Sequence, residues 1–179
     1  MKFTKTVVAI ALGVCLFAGN AWSGPPVPGV TDLSAAAPQA IEAGDIVEAL
    51  AVSRGTVIRP NARPTLRLPI YFELNSADLE PEAELLLEKL ADALSSGDLE
   101  TFRFSVEGHT DDLGEADYNE SLSSRRAAAV KSYLLARGVS SERLQTVGHV
   151  EMVPVAPNQD GEGRRRNRRV EIINLGADG

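Results

Sequence analysis

The chain has 179 residues, of which 44% are hydrophobic and 24% are charged, and its formal net charge at pH 7 is −7. This balance is typical of one globular domain with a sizeable core, and it differs from that of disordered or fibrous proteins. The acidic charge argues against nucleic acid and anionic lipid as partners.

The first 23 residues have the pattern of an export signal. Lys2 and Lys5 precede an apolar run over residues 7–18, and Ala21 and Ser23 then place small residues at the two positions that a signal peptidase recognises. We therefore predict cleavage after Ser23 and export to the periplasm, where the protein could associate with the outer membrane. The apolar run is shorter than a bilayer-spanning helix and no later segment is longer, so no transmembrane segment is predicted in the mature chain.

Cys15 is the single cysteine of the chain, so a lipoprotein signal is the alternative for this segment. Val14 stands where a lipobox has a small residue, and the apolar run continues past the cysteine through Leu16 and Phe17. We therefore expect no lipid on Cys15. The mature chain then has no cysteine, and its folded state depends on the core rather than on disulfides.

Residues 24–65 open with Gly-Pro-Pro-Val-Pro-Gly, which is typical of an extended linker. Within them, residues 40–51 carry apolar positions that fit a short helix. The region is too short for even the smallest membrane barrels, which have about eight strands. We leave open a binding site for an envelope protein partner in residues 24–65.

A regular pattern predicts a folded domain over residues 66–174, followed by a tail at 175–179. In chain order, the predicted elements are a strand at 66–72, a helix from about 81 to 94, a strand at 102–106, a helix at 117–137 closed by Gly138, and strands at 144–147 and 169–173. The run Arg164, Arg165 and Arg166 is predicted to lie in a solvated loop. The order β-α-β-α-β-β predicts an α+β fold, a two-layer sandwich with two helices on one face of a small mixed sheet.

Three motifs follow one another within this domain. They are Glu-Gly-His-Thr-Asp at 107–111, Tyr-Asn and then Leu-Ser-Ser-Arg-Arg-Ala between 118 and 127, and Asn-Arg-Arg-Val-Glu at 167–171. Together with Phe-Glu-Leu-Asn-Ser-Ala-Asp-Leu at 72–79, they resemble the OmpA-like C-terminal domain, which is found in outer-membrane porin-like proteins, the Pal lipoprotein and MotB. The resemblance covers about residues 68–173. His149 and Val150 depart from it, because the family usually has an aromatic or apolar residue and a glycine there.

The resemblance implies a periplasmic module that binds peptidoglycan without catalysis, through the diaminopimelate of the stem peptide. The terminal carbon of that residue carries an ammonium and a carboxylate. The resemblance implies Asp111 as the acceptor for the ammonium and Arg126 as the donor to the carboxylate, which a planar guanidinium can hold through two parallel bonds. The other ligand-binding residues that it implies are Asn119, Leu122, Asn75 and Ser76, and the supporting residues are Thr110, Asn167, Arg168 and Arg169.

Helical spacing is consistent with this grouping, since Asn119, Leu122 and Arg126 share one helix face and Arg125 points elsewhere. The alternative is that Asp111 only satisfies turn amides and that the two arginines form a solvated face. Asn119 could equally be a capping side chain. On either interpretation we expect Asp111 and Arg126 to lie at the protein surface.

Two other function classes compete with wall binding. A hydrolase would need a zinc site or a nucleophile, but His109 and His149 lack the His-x-x-x-His spacing and no Gly-x-Ser-x-Gly occurs. Plentiful acids leave a carboxylate-pair glycosidase open. A protein-interaction module that kept the fold without the ligand is disfavoured by the presence of Asp111, Asn119 and Arg126. We therefore predict a protein that is not an enzyme, with no metal and no cofactor.

Overall fold

The computed structural model describes residues 27, 29–51, 63–72, 75–149 and 154–177. The predicted signal peptide, its cleavage site and Cys15 lie outside these residues. Among the described residues, no helix combines the length and the apolar character needed to cross a membrane.

One mixed sheet and four helices make up the described part of the chain. The strands are β1 (Val30–Asp32), β2 (Thr65–Leu68), β3 (Phe102–His109), β4 (Leu144–His149) and β5 (Val170–Ala177). The helices are α1 (Ala43–Leu50), α2 (Pro81–Leu94), α3 (Ala116–Ala136) and α4 (Gly161–Asn167). In the strand order β1-β2-β5-β3-β4, β5 runs antiparallel to β2 and β3, whereas β1 and β4 pair with their neighbours in parallel. The predicted fold class, with helices packed on a small mixed sheet, is confirmed.

The core lies between the sheet and its helices. Alternate strand residues point to opposite faces, and Phe104, Val106 and Ile172 on the inner face are fully buried against α2 and α3. Leu87 and Leu90 of α2 are also fully buried. Each such side chain stabilises the fold by about 1.5–3 kcal/mol. The opposite side of the sheet, which we call the outer face, carries charged and polar residues.

The two long helices begin and end as their sequences predict. α2 has Pro81 in its first turn, where a missing N–H costs nothing, and acidic Glu82 and Glu84 lie near its positive end. α3 ends at Ala136, and Gly138 follows with φ +92°, a left-handed conformation that favours glycine. Both predicted helices are confirmed.

The first predicted strand is too long. β2 ends at Leu68 rather than at residue 72 because Pro69 has no N–H to donate to a neighbouring strand. Phe72 makes an isolated bridge with Leu79 instead. This bend brings the segment around residue 75 over the start of α3, where it contributes to the candidate site described below.

The linker interpretation is wrong for residues 29–51, because they pack onto the domain. β1 pairs with β2 along the sheet edge, and Ile46 and Leu50 of α1 are fully buried. The predicted short helix in this region is confirmed as α1. From α2, the Lys89 ammonium donates hydrogen bonds to the backbone carbonyl of Ile41 at 2.6 Å and to the Glu42 carboxylate at 3.2 Å. This segment belongs to the folded unit.

The arginine run is helical, so the prediction of a solvated loop is wrong. The Asp160 carboxylate accepts a hydrogen bond from the backbone N–H of Gly163 at 2.6 Å and caps α4. Only glycine fits at position 163, since a Cβ there would lie 1.8 Å from the carbonyl oxygen of Pro157. The sequence carries no apolar periodicity here, and the helix is held by these local contacts instead.

Candidate ligand-binding site

A cleft of about 670 Å³ lies beyond the last residue of β3, beside the start of α3. Its lining consists of Phe72, Asn75, Glu80, Thr110, Asp111, Leu113, Gly114, Tyr118, Asn119, Leu122, Arg126 and Arg168. The structure therefore brings most of the predicted site residues together. Of the predicted residues, Ser76, Asn167 and Arg169 do not line the cleft.

The Asp111 side chain is one of two carboxylates that line the cleft, together with Glu80. Its Oδ2 accepts a hydrogen bond from Nη1 of Arg168 at 2.6 Å, and its Oδ1 accepts one from the backbone N–H of Leu113 at 3.2 Å. The first contact is a short, charge-assisted hydrogen bond. Arg168 is thus part of the cleft itself rather than only a supporting residue.

Asn119 holds the loop that carries Asp111. Its Nδ2 donates to the carbonyl of Leu113 at 2.9 Å and more weakly to that of Asp111 at 3.4 Å. Because Asn119 is buried in the first turns of α3, these bonds fix the loop against the helix. Gly114 makes the turn between them with φ +99°.

Arg126 is a buried cation without a carboxylate partner. Its Nε donates to the backbone carbonyl of Ser76 at 3.1 Å, and its guanidinium lies 5.0 Å from the ring centroid of Phe72. Among the described residues, no carboxylate comes within 4.0 Å of this guanidinium. Burial lowers the pKa of Arg126, and the positive charge of Arg168 lowers it further. A bound anion would offset both effects.

The segment at 75–76 forms the rim of the cleft opposite α3. The phenol of Tyr118 donates a hydrogen bond to the carbonyl of Asn75 at 3.2 Å, and Asn75 has φ +54°. Ser76 orients Arg126 through its carbonyl, while its hydroxyl contacts the Asp78 carboxylate at 2.7 Å. Asn75 therefore lines the cleft, and Ser76 acts on it through Arg126.

The expectation that Asp111 and Arg126 lie at the surface is wrong. Asp111 is only 7% exposed and Arg126 only 4%, whereas Arg125 is exposed as the helical spacing predicts. Spacing assigns a residue to a helix face, but it does not show what covers that face. Here Phe72 and the 75–76 segment cover Arg126.

Asn167 and Arg169 lie outside the cleft, and their predicted supporting role stays a prediction. Oδ1 of buried Asn167 accepts hydrogen bonds from the backbone N–H groups of Val155 and Ala156 at 2.9 and 3.0 Å, and its Nδ2 donates to the carbonyl of Ala156 at 2.8 Å. These bonds fix the loop before α4. Arg169 pairs with Glu171 on the outer face at 2.7 Å.

A smaller cavity of about 150 Å³ adjoins the cleft and shares Phe72, Glu80, Arg126 and Arg168 with it. It adds Tyr71 and Arg165, whose guanidinium lies 4.4 Å from the ring centroid of Tyr71. Sequence reasoning missed Arg165, because a run of arginines does not show which of them turns toward the site.

A second group of buried charges lies on the outer face of the sheet. Oε1 of Glu171 accepts hydrogen bonds from Nε of Arg67 at 2.8 Å and from Nε of Arg169 at 2.7 Å, and we call these three residues the outer-face network. Burial raises the pKa of Glu171, but the arginines outweigh it and the pKa lies below its usual value. Burial and the charge of Arg169 lower the pKa of neighbouring His109 to about 3, so that ring is neutral at pH 7.

The model of the OmpA family matches residues 71–168, which is more than half of the chain and includes the residues that form the cleft. The chain belongs to the OmpA family. The arrangement of Asp111, Arg126 and Arg168 is therefore a feature of an OmpA-family domain.

Named relatives are similar to more than half of this OmpA-family chain. Outer membrane protein A from Bordetella avium is 40% identical over 116 residues, which is 65% of this chain and 59% of that protein. The peptidoglycan-associated lipoprotein of Pseudomonas aeruginosa is 44% identical over 103 residues, 57% of this chain and 59% of that protein. The chain thus spans about three fifths of the length of these curated relatives. A MotB-like protein from Desulfovibrio vulgaris has the same fold, with a TM-score of 0.58, 31% identity, and coverage of 70% of this chain and 79% of that chain.

Proposed function

We propose that this OmpA-family domain binds peptidoglycan non-covalently through the diaminopimelate of the stem peptide, and that it catalyses no reaction. The observation that carries the proposal is that one cleft holds a carboxylate, Asp111, and a buried guanidinium, Arg126, that has no carboxylate partner among the described residues. The name of the peptidoglycan-associated relative supports the wall polymer as the source of the ligand.

Asp111 and Arg126 each have a counterpart on diaminopimelate. Asp111 accepts the ammonium, in place of its hydrogen bond with Arg168, and Arg126 donates two parallel bonds to the carboxylate. Leu122 provides an apolar wall for the methylene groups next to that carbon. The neutral residues Asn75, Thr110 and Asn119 complete the lining and offer hydrogen-bonding groups.

A ligand in the cell wall is consistent with the predicted export of this chain. We propose that residues 1–23 direct the chain to the periplasm, where the wall lies, and that the protein is retained at the envelope by its hold on peptidoglycan. Association with the outer membrane and an envelope protein partner that contacts residues 24–65 are further proposals. For the part of that region that packs on α2, such a partner would meet a folded surface rather than a linker.

The decisive experiment is calorimetric titration of three muropeptides into the chain from residue 24 onward. The three carry diaminopimelate, its amidated form, or lysine at the same stem position. Lysine keeps an ammonium for Asp111 but brings no carboxylate to Arg126, so a buried cation would stay unpaired. We expect the lysine form to bind about 10- to 150-fold more weakly than the diaminopimelate form.

The amidated form tests the charge separately from the shape. It keeps the size of the carboxylate but is neutral and presents one acceptor oxygen instead of two, so we expect it to bind more weakly than diaminopimelate. Equal affinities for all three would show that Arg126 does not bind the ligand carboxylate, because each form carries the ammonium for Asp111. Incubation with purified sacculi gives the second readout, since their turbidity falls only if bonds are cut, and we expect no fall.

A further inference from the structure

The outer face carries a group of side chains that wall binding does not use. β3 and β4 run in parallel with His109 paired directly to His149, and Glu107 lies two residues earlier on the same face of β3. The two imidazole rings stack with their centroids 4.8 Å apart and an angle of 15° between their planes. Nε2 of His149 lies 2.6 Å from Oε2 of Glu107. One ligand atom from each residue lies within 4.8 Å of the other two.

His109 provides an observation that packing alone does not explain. Its Nε2 is buried and has no hydrogen-bond partner among the described residues. The carboxylate oxygen Oε1 of Glu171 lies 4.0 Å away, and it already accepts hydrogen bonds from Arg67 and Arg169. Unpartnered buried nitrogens are rare in folded proteins, and each needs a physical reason. A buried imidazole with an unpartnered nitrogen, beside a second imidazole and a carboxylate, is available to bind a metal ion.

We propose that Glu107, His109 and His149 bind one divalent transition-metal ion of the Zn²⁺ type, which links β3 to β4. Two imidazoles and one carboxylate are a donor set that suits Zn²⁺ and that Ca²⁺ and Mg²⁺ do not favour. Water fills the fourth position, because both arginines hold Glu171. This site is independent of the proposed wall binding.

The geometry requires a rearrangement of the partly exposed side chains, because stacked rings direct their in-plane nitrogens side by side and the His149 ring must rotate before both can bind one ion. Tetrahedral Zn²⁺ holds its ligands at about 2.0–2.2 Å and therefore about 3.3 Å from one another. The separations here range from 2.6 Å up to 4.8 Å. The side chains of Glu107 and His149 are 18% and 32% exposed, so they can move and they give an ion a route in, while buried His109 fixes the position.

The chain has two histidines and both belong to this site, so no other histidine can bind the added ion in the test. The experiment is calorimetric titration of ZnCl₂ into the metal-free chain from residue 24 onward, without any affinity tag. We expect one ion per chain and a higher midpoint of thermal unfolding with Zn²⁺. Titration with Co²⁺ should give the visible absorption of a tetrahedral site, and Mg²⁺ should not compete.

Two ligand variants and one control locate the ion. His149→Ala and Glu107→Gln should each weaken Zn²⁺ binding by at least about tenfold, since each removes a direct ligand. Gln145→Ala changes an exposed residue on the same strand and face and should leave the affinity unchanged. The proposal is overturned if Zn²⁺ does not bind, or if His149→Ala and Glu107→Gln bind it as the parent chain does. A matching loss in Gln145→Ala would also overturn it.

Discussion

Arg126 in the cleft and Arg169 in the outer-face network are equally buried, each 4% exposed, but their surroundings differ in one respect. Arg169 pairs with the Glu171 carboxylate at 2.7 Å, whereas Arg126 meets a backbone carbonyl and an aromatic ring. Burying a charge is costly unless a partner compensates it. The buried charges of the network are therefore paired within the protein, whereas Arg126 has no ion-pair partner among the described residues.

This difference separates structural charges from ligand-binding ones. Burial and a lowered pKa occur in both regions, so neither property identifies the site. What distinguishes Arg126 is that no described carboxylate forms an ion pair with it within 4.0 Å, although the more distant charge of Asp111 raises its pKa. Mutations should consequently affect folding in one region and binding in the other.

The largest effect is expected when the outer-face network is broken. Glu171→Ala leaves the guanidinium groups of Arg67 and Arg169 without the carboxylate that they share, and such a loss costs about 3–5 kcal/mol. Urea unfolding followed by circular dichroism measures the change in the free energy of unfolding. Glu142→Ala, which removes an exposed acid, is the control and should change it by less than about 0.5 kcal/mol. If Glu171→Ala is as stable as this control, the outer-face network does not stabilise the fold.

The second prediction concerns Arg126, where we expect ligand binding rather than stability to change. Arg126→Met keeps the length and apolar contact of the side chain over Phe72 but removes the charge. We expect sacculus affinity to fall about 10- to 150-fold because a charge-assisted bond to the ligand is lost. The free energy of unfolding should fall by only about 0.5–1.5 kcal/mol, the net worth of the lost hydrogen bond to the Ser76 carbonyl, since no ion pair within the protein is broken.

Arg125→Met is the matched control for this variant. It makes the same chemical change one residue away, on an exposed side chain, and should bind sacculi like the parent chain. Co-sedimentation with sacculi measures the affinity, and urea unfolding measures the stability. If Arg126→Met unfolds readily, or if both variants bind equally well, Arg126 is a structural arginine like Arg169.

The smallest effect concerns the rim of the cleft. Asn75 is the one non-glycine residue with positive φ among the described residues, and alanine in that conformation costs about 1–2 kcal/mol more than glycine. We expect Asn75→Ala to lower the midpoint of urea unfolding and Asn75→Gly to leave it nearly unchanged. Equal stability of the two variants would show that the backbone at residue 75 is not held in this conformation.

Most of the fold could be predicted because it depends on local patterns. The apolar stripe of α2, the Gly138 stop after α3 and the alternation in β3 are all visible in the sequence, and each is confirmed. β1 is only three residues long and is defined by its pairing with β2, which no local pattern encodes. α4 contains charged residues and glycines, so its capping contacts identify it only once the chain is folded.

The candidate site was less accessible to sequence reasoning because its properties depend on distant segments. The motifs point to Asp111 and Arg126, and helical spacing separates Arg126 from Arg125. Neither predicts that Phe72 and the 75–76 segment bury Arg126, or that Arg168 bonds to Asp111. The same limit applies to His109 and His149, which are far apart in sequence and meet through the pairing of parallel strands.

The hydrogen bond between Arg168 and Asp111 has a consequence for selectivity. Arg168 is attached to the same chain, so its effective concentration at Asp111 is on the order of millimolar. A simple amine or a metal cation that approaches Asp111 must displace this tethered competitor, and it brings nothing to Arg126 in return. On the proposed function, a ligand with an ammonium and a carboxylate on one carbon would release Arg168 and pair with Arg126 in the same step. The Arg168–Asp111 contact would then favour ligands that carry both charges over simple cations.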